Sequence, residues 1–312
     1  MTLTVAMLTY RRPERLRLGL AGVLEQARGV DADPDVDVEV LVIDNDPAGS
    51  AHDVVAGFGS PLLRYVLEST AGISAGRNRA LAEVADRDLL VFIDDDEEPL
   101  PHWLASLLHT WRSTGAAAVM GRVEFRREQN PDTWIDAGGF FDRYRRASGA
   151  EIPTAATGNL LLDLDQIRRF GVHFDERLGL TGGEDSLFSR QLVKAGGRIV
   201  FCDESIAVEQ VPADRLTRQW VLTRTRRVGI TETLVAIYLA DHPLGRLRAR
   251  TLGAVRGVAR LVAGALRLLL GRLMRSQRHE AQGHRIIRRG QGMVLGAIGV
   301  VHEEYARPGG AG

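Results

Sequence analysis

Apolar positions in this chain fall into short, nearly continuous runs separated by stretches of helical period. Residues 3–8 (LTVAML), 38–43 (VEVLVI), 62–67 (LLRYVL) and 89–93 (LLVFI) are five or six residues long. That is the length and pattern of strands buried on both faces. Between them the period lengthens. Leu16, Leu18, Leu20 and Val23 predict a helix after Pro13, residues 50–58 a weaker one, and a third begins near Ser74. Asp44-Asn45-Asp46-Pro47 stops the second run as a turn. Strands alternating with helices at this spacing predict right-handed βαβ units and a parallel sheet, so residues 1–115 are expected to form a Rossmann-like nucleotide-binding half.

Residues 116–125 predict another strand, and 126–153 a loop-rich segment around Trp134 that is expected to cover a pocket. A short strand and helix follow over 157–171, then a helix from Glu184 to Gly196-Gly197, and two short strands at 198–202 and 206–209. The second half thus spans 116–213, completing a domain of residues 1–213, and 214–312 is expected to be a helical extension. The fold class is α/β with a mostly parallel central sheet.

The run at 89–93 ends in five acids, Asp94 to Glu98, and Pro99 is expected to open a helix near Leu100. Carboxylates at the carboxyl end of a central strand lie where open α/β sheets place ligands. Asp94 and Asp96 are two apart, so an extended turn points both the same way toward one hard cation. A solvated acidic turn is the ordinary alternative. Asp44 ends the second strand, where it either meets a base or ribose or caps its own turn. Arg77 and Asn78 start a helix facing the same sheet edge; Arg77 offers a forked cation for diphosphate. Glu184 and Asp185 follow two glycines, which suggests backbone in close approach to a ligand and a carboxylate placed as general base. Glu209 follows the last strand, as a metal ligand or an edge residue. Arg224, Arg226 and Arg227 reach phosphate or line a solvated helix face.

Composition changes this picture little. The chain has 312 residues, 45% hydrophobic and 26% charged, with zero formal net charge, which gives no reason to expect a nucleic-acid partner. Acids gather in the first two thirds and Arg dominates after residue 214. A single cysteine, Cys202, excludes an internal disulfide framework and suits a reducing compartment. The amino-terminal run has no basic lead and is expected to be a strand and not a signal peptide. No GxGxxG follows the first strand, which argues against a dinucleotide cofactor.

Five segments then occur in order: TYRRP at 9–13, VIDNDP at 42–47, GISAGRN at 72–78, FIDDDEEP at 92–99 and GGEDSLFSR at 182–190. Together they resemble the inverting GT-A-fold glycosyltransferases of family two, and within them the bacterial exopolysaccharide transferases that extend lipid-linked repeat units. The resemblance covers residues 1–230. It implies a nucleotide-sugar donor, a saccharide or polyprenyl-linked acceptor, and Mg2+ or Mn2+. It also implies that Thr9, Tyr10, Arg12, Asp44, Arg77, Asp94 and Asp95 hold the donor, with Asp44 on uracil or ribose. Asp94 and Asp96 would be the DxD pair, with Asp96 on the metal, Asp185 the base and Glu184 beside it at the acceptor. Many relatives carry a metal-binding His where this chain has Glu209. A sugar-phosphate nucleotidyltransferase would show a Gly-rich, Lys-containing loop after the first strand, which TYRRP lacks. A non-catalytic binding subunit would need no base such as Asp185.

Residues 245–275 add a separate expectation. Arg256, Arg260 and Arg267 fall within roughly 40° on a helix, with Leu252, Val255, Val258, Leu261, Val262, Leu266, Leu269 and Leu270 opposite and between. Arg interrupts it too often for a span, but it suits an interface with anionic lipid, placing the protein in the cytoplasm, peripheral at the inner face of the plasma membrane. Packing on the catalytic domain, or a dimer interface, is the alternative. A later run, Met293 to Val301, joins that contact or packs on the first helix.

Overall fold

A computed structural model describes residues 1–143 and 145–301, so part of the expected C-terminal extension, 302–312, lies outside the described residues. The chain gathers into two compact units. One contains the described residues of 1–124, 145–180 and 184–209, the other those of 125–143, 181–183 and 210–301.

The first unit is built on a sheet. Strands β1 (Thr2–Thr9), β2 (Asp37–Asp44), β3 (Leu63–Leu67) and β4 (Leu89–Asp94) alternate with helices α1 (Pro13–Asp31), α2 (His52–Phe58) and α3 (Ile73–Glu83). They pair in parallel in the order β3-β2-β1-β4. Successive side chains of a strand point to opposite faces, and both faces here are covered. Leu3, Val5, Met7, Val40, Val42, Leu89, Val91 and Ile93 bury one side with Leu16 and Leu20 of α1. Ala6, Leu41, Ile43, Leu90 and Phe92 bury the other with Ala80 of α3. That double coverage is why the strands read as unbroken apolar runs. Leu18, by contrast, is 64% exposed. At 100° per residue it lies opposite Leu16 and Leu20, so it does not belong to the apolar face expected of it.

Beyond β4 the sheet turns antiparallel. After β5 (Glu97–Pro99) come α4 (Trp103–Thr114), β6 (Ala118–Arg127), α5 (Thr133–Gly138), β7 (Asn159–Asp163), α6 (Leu164–Phe170), α7 (Glu184–Lys194) and β8 (Ile199–Val211). The full order is β3-β2-β1-β4-β7-β6-β8-β5, with β7 antiparallel to β4 and β6, and β5 antiparallel to β8. Pro99 does not open a helix. Residues 97–99 pair with 207–209, and the Leu100 N–H donates to the Ile206 carbonyl at 2.9 Å, so α4 waits until Trp103. The two short strands expected near the end are one, β8, running straight through Asp203–Ser205.

The second unit holds α5 with α8 (Arg218–Tyr238), α9 (Pro243–Leu273) and α10 (Gln277–Ala297). Residues 126–153 are not simply loop: Asp132 caps α5 by accepting from the Trp134 N–H, and Trp134 is buried with Ile135, Phe141, Val221 and Ala281. Buried Met293 and Ala297 belong to α10, which packs along both α8 and α9. Glycines make that approach possible. A Cβ on Gly292 would sit 1.9 Å from the Arg226 carbonyl oxygen of α8. Backbone cannot yield as a flexible side chain does, so Gly292→Ala is expected to cost about 3 kcal/mol or more, read as a lower urea midpoint.

Candidate active site

Register brings the expected acids to one edge. Thr9 pairs with Asp44, and Leu8 with Asp94, so the carboxyl ends of β1, β2 and β4 finish level. The chain then turns through Asp95 and Asp96 before β5.

Asp94 keeps 45% of its side chain exposed. Asp95 is buried, accepting 2.8 Å from the Thr9 hydroxyl and 3.3 Å from Arg12 Nη1. Asp96 faces Arg12 at 3.4 Å and Arg15 at 3.2 Å. Burial pushes the Asp94 carboxyl up to about 7, opposed by Arg77 and reinforced by Asp96, Asp95 and Glu209; water at its open surface offsets part of that rise. Burial likewise pushes Asp95 up to about 6, with the Arg12 charge opposing and Asp96 adding to it.

Arg77 joins this turn to α7. The Ile73 N–H donates to the Gly179 carbonyl at 2.9 Å, which pins the start of α3 beside the 175–179 turn. Asn78 exchanges two hydrogen bonds with the Phe174 backbone, at 2.8 and 2.9 Å. So anchored, Arg77 is buried with its guanidinium over the Phe174 ring at 5.5 Å. It ion-pairs with Glu184 and lies 3.8 Å from Asp94. Glu184 is also buried, and its second oxygen Oε2 meets no hydrogen-bond donor among the described residues. Burial pushes this carboxyl up to about 7, the Arg77 charge opposing and Asp185 adding to it. Asp185 next to it is half-exposed and accepts from the Ser186 N–H. Both acids occupy the first turn of α7, where the helix dipole favours negative charge. Gly182 and Gly183 have φ of 77° and 96°. They are needed for a left-handed turn into α7, a sufficient reason for glycine without any ligand nearby.

The other expected site residues are placed as follows. Asp44 is wholly buried and accepts from the Ala51 N–H (2.8 Å), the Asp46 N–H (3.0 Å) and the Tyr65 hydroxyl (3.0 Å). These bonds are those of a turn cap, and burial together with the Asp44 charge pushes Tyr65 up to about 12. Tyr10 is half-buried with Arg11 over its ring at 5.2 Å. Glu209 stands opposite Glu97 in the β5–β8 ladder. Arg224 lies over the Trp220 ring at 5.5 Å, within the second unit.

Three residues were not singled out from the sequence. Arg15 lies one turn beyond Arg12, so their i, i+3 spacing carried the signal. Glu97 comes beside Asp94 only through the β5–β8 pairing. Gly158 leaves room for both: a Cβ there would fall 2.7 Å from Glu97 Oε1 and 3.0 Å from Asp94 Oδ2.

Among the described residues, no three His, Cys, Asp or Glu side chains gather closely enough to enclose a metal ion. The donor chemistry nonetheless fits Mg2+ or Mn2+. Asp94 is an accessible hard oxygen ligand whose neighbours Asp95, Asp96 and Glu209 all repel its charge. Mg2+ is typically held by one or two carboxylates plus substrate phosphates and water, not by an all-protein cage.

Comparison with known proteins bears on this site. The profile of glycosyl transferase family 2 matches residues 4–169. The chain is 35% identical over 230 residues to the succinoglycan biosynthesis protein ExoM of Rhizobium meliloti, covering 73% of this chain and 72% of that protein. Among solved structures, the mannosyltransferase PcManGT of Pyrobaculum calidifontis, in complex with GDP-Man and Mn2+, aligns with a TM-score of 0.59 at 19% identity, over 92% of this chain and 85% of that one. S. aureus TarS 1-349, in complex with UDP-GlcNAc, aligns at 0.54 and 14% identity, over 92% and 90%. The shared architecture is the GT-A fold.

Proposed function

The chain belongs to glycosyl transferase family 2 and is a glycosyltransferase, and from that premise we propose an inverting transfer from a UDP-sugar to a hydroxyl of a saccharide or polyprenyl-linked saccharide. The observation that carries the reading is the linkage Asp94–Arg77–Glu184, which sets the acids of α7 beside the carboxyl edge of β4. Identity with a succinoglycan biosynthesis protein supports a saccharide acceptor.

Asp185 is the general base. Its carboxylate takes the proton of the acceptor hydroxyl as that oxygen bonds to the anomeric carbon from the face opposite the diphosphate. The anomeric carbon–oxygen bond breaks, and its electron pair leaves with UDP. One displacement inverts the configuration and needs no covalent enzyme intermediate. A divalent ion would be held by Asp94, with Asp96 or Glu209 completing its protein ligands, and would supply charge neutralisation on the diphosphate. Glu184, buried and paired with Arg77, holds the first turn of α7 in place. Thr9 and Arg12 brace Asp95, and Arg12 and Arg15 hold Asp96, so the acidic turn keeps its shape. Asp44, buried and capping its own turn, fixes the carboxyl end of β2, beside which Tyr10 lines the nucleotide pocket.

Calorimetric titration of UDP, GDP and a panel of UDP-sugars, with and without Mn2+, tests this on wild type and Asp94→Ala. UDP binding that needs Mn2+ and weakens by at least about tenfold in the variant is expected, given the loss of a main ion ligand. A preference for GDP would overturn the choice of base. No nucleotide binding under any condition would overturn the transferase site.

A further inference from the structure

Helix α9 is inverted relative to an ordinary surface helix. Its small residues face inward: Gly253, Gly257, Gly264 and Gly271 are buried. Gly257 and Gly264 lie against α10, where a Cβ would meet the Gly290 carbonyl oxygen at 2.9 Å and the Ile287 nitrogen at 2.9 Å. Its large residues face outward. Leu244, Leu247, Val255, Val258, Val262, Leu266, Leu269 and Leu273 are all more than half exposed. At 100° per residue they share an arc of about 100° centred opposite the glycines. Over 31 residues the stripe is about 46 Å long. The sequence placed Arg256, Arg260 and Arg267 on one arc with apolar positions opposite and between; in the structure Arg260 and Arg267 are half-buried, and Arg267 bonds Gln282 of α10.

We infer that this face of α9 docks on the surface of an anionic lipid bilayer, its axis parallel to the membrane. Charge selects this occupant. Residues 243–273 contain seven Arg and no acid, and Arg256 and Arg272 are exposed on the two flanks of the stripe. A second copy of the same helix would bring Arg against Arg with no acid on either α9 to pair it, whereas anionic headgroups satisfy that charge while the Leu and Val side chains enter the acyl boundary. None of the described helices is long and apolar enough to cross a membrane, so lying on the surface is the arrangement α9 allows.

The inference stands on α9 alone and does not depend on the transferase reading. Co-sedimentation of the full chain with vesicles of phosphatidylcholine, and of phosphatidylcholine mixed with phosphatidylglycerol, tests it. Binding to the anionic vesicles is expected to exceed that to neutral ones by about tenfold or more and to fall with added salt. Val262→Asp with Leu266→Asp should abolish it, and Arg256→Gln with Arg272→Gln should reduce the anionic preference while leaving the apolar stripe intact. Far-UV circular dichroism and urea midpoints unchanged in both variants would show that the fold survives. Vesicle binding equal in wild type and both variants, or none by the wild type, would overturn the proposal. So would a dimer in sedimentation velocity that the Asp variant splits without any lipid binding.

Discussion

Asp185→Asn is expected to lower kcat by about 10²–10⁴-fold, the range supplied by one positioned general base, with donor affinity kept. The reason is positional. Asp185 is half-exposed in the first turn of α7, while its neighbour Glu184 is buried against Arg77. Only the former can reach an incoming hydroxyl without breaking a buried ion pair. Asparagine preserves size and can still accept from the Ser186 N–H, so the helix start is retained and the loss falls on proton transfer. Steady-state turnover with calorimetric donor titration separates the two effects. Retention of more than about a tenth of wild-type kcat would remove Asp185 from the role of base, since even a weak general base contributes more than that.

How much of this was legible in the sequence depends on the range of the interaction involved. The parallel strands were readable because covering both faces of a sheet forces unbroken apolar runs, and β1, β2 and β4 fall where Leu3 to Leu8, Val38 to Ile43 and Leu89 to Ile93 stand. The level finish of these strands follows from parallel register, which is why Thr9, Asp44 and Asp94 meet at one edge. Partners contributed by distant segments were not legible. Glu97 was expected to be part of a solvated or metal-binding acidic run, yet it is a strand residue because 207–209 pair with it. Arg77 was expected to face a diphosphate, and nothing in GISAGRN announces that its guanidinium is spent on Glu184, 107 positions away. The outward face of α9 was legible as apolar positions, but its glycines gain meaning only with α10 against them. Leu18 errs for a simpler reason: two residues on from Leu16 is the far side of a helix.

Arg77→Met is expected to destabilise the protein by about 3–5 kcal/mol near pH 8, because it strands Glu184 as a buried, unpaired charge. Among the described residues one oxygen of Glu184 already lacks a donor, and Arg77 is the charge that keeps the other ionised. The pH dependence then has a definite sign. In wild type the folded carboxyl is raised to about 7, above its ordinary 4.5, so between those values the folded state binds more protons than the unfolded one. Stability from this group therefore falls as pH rises from 4.5 through 7 and is level above. Without Arg77 the folded value climbs further, so the deficit of the variant should be largest near pH 8 and shrink toward pH 5, where Glu184 takes up a proton and loses its charge. Asp94, 3.8 Å from Arg77, shifts in the same direction but contributes less because water reaches it. Adding Glu184→Gln to Arg77→Met removes the stranded charge and should recover part of the loss near pH 8. Urea midpoints for the three proteins at both pH values measure this. An equal loss at the two values, with no recovery in the double variant, would mean that Arg77 stabilises by packing on the Phe174 ring and not by neutralising Glu184.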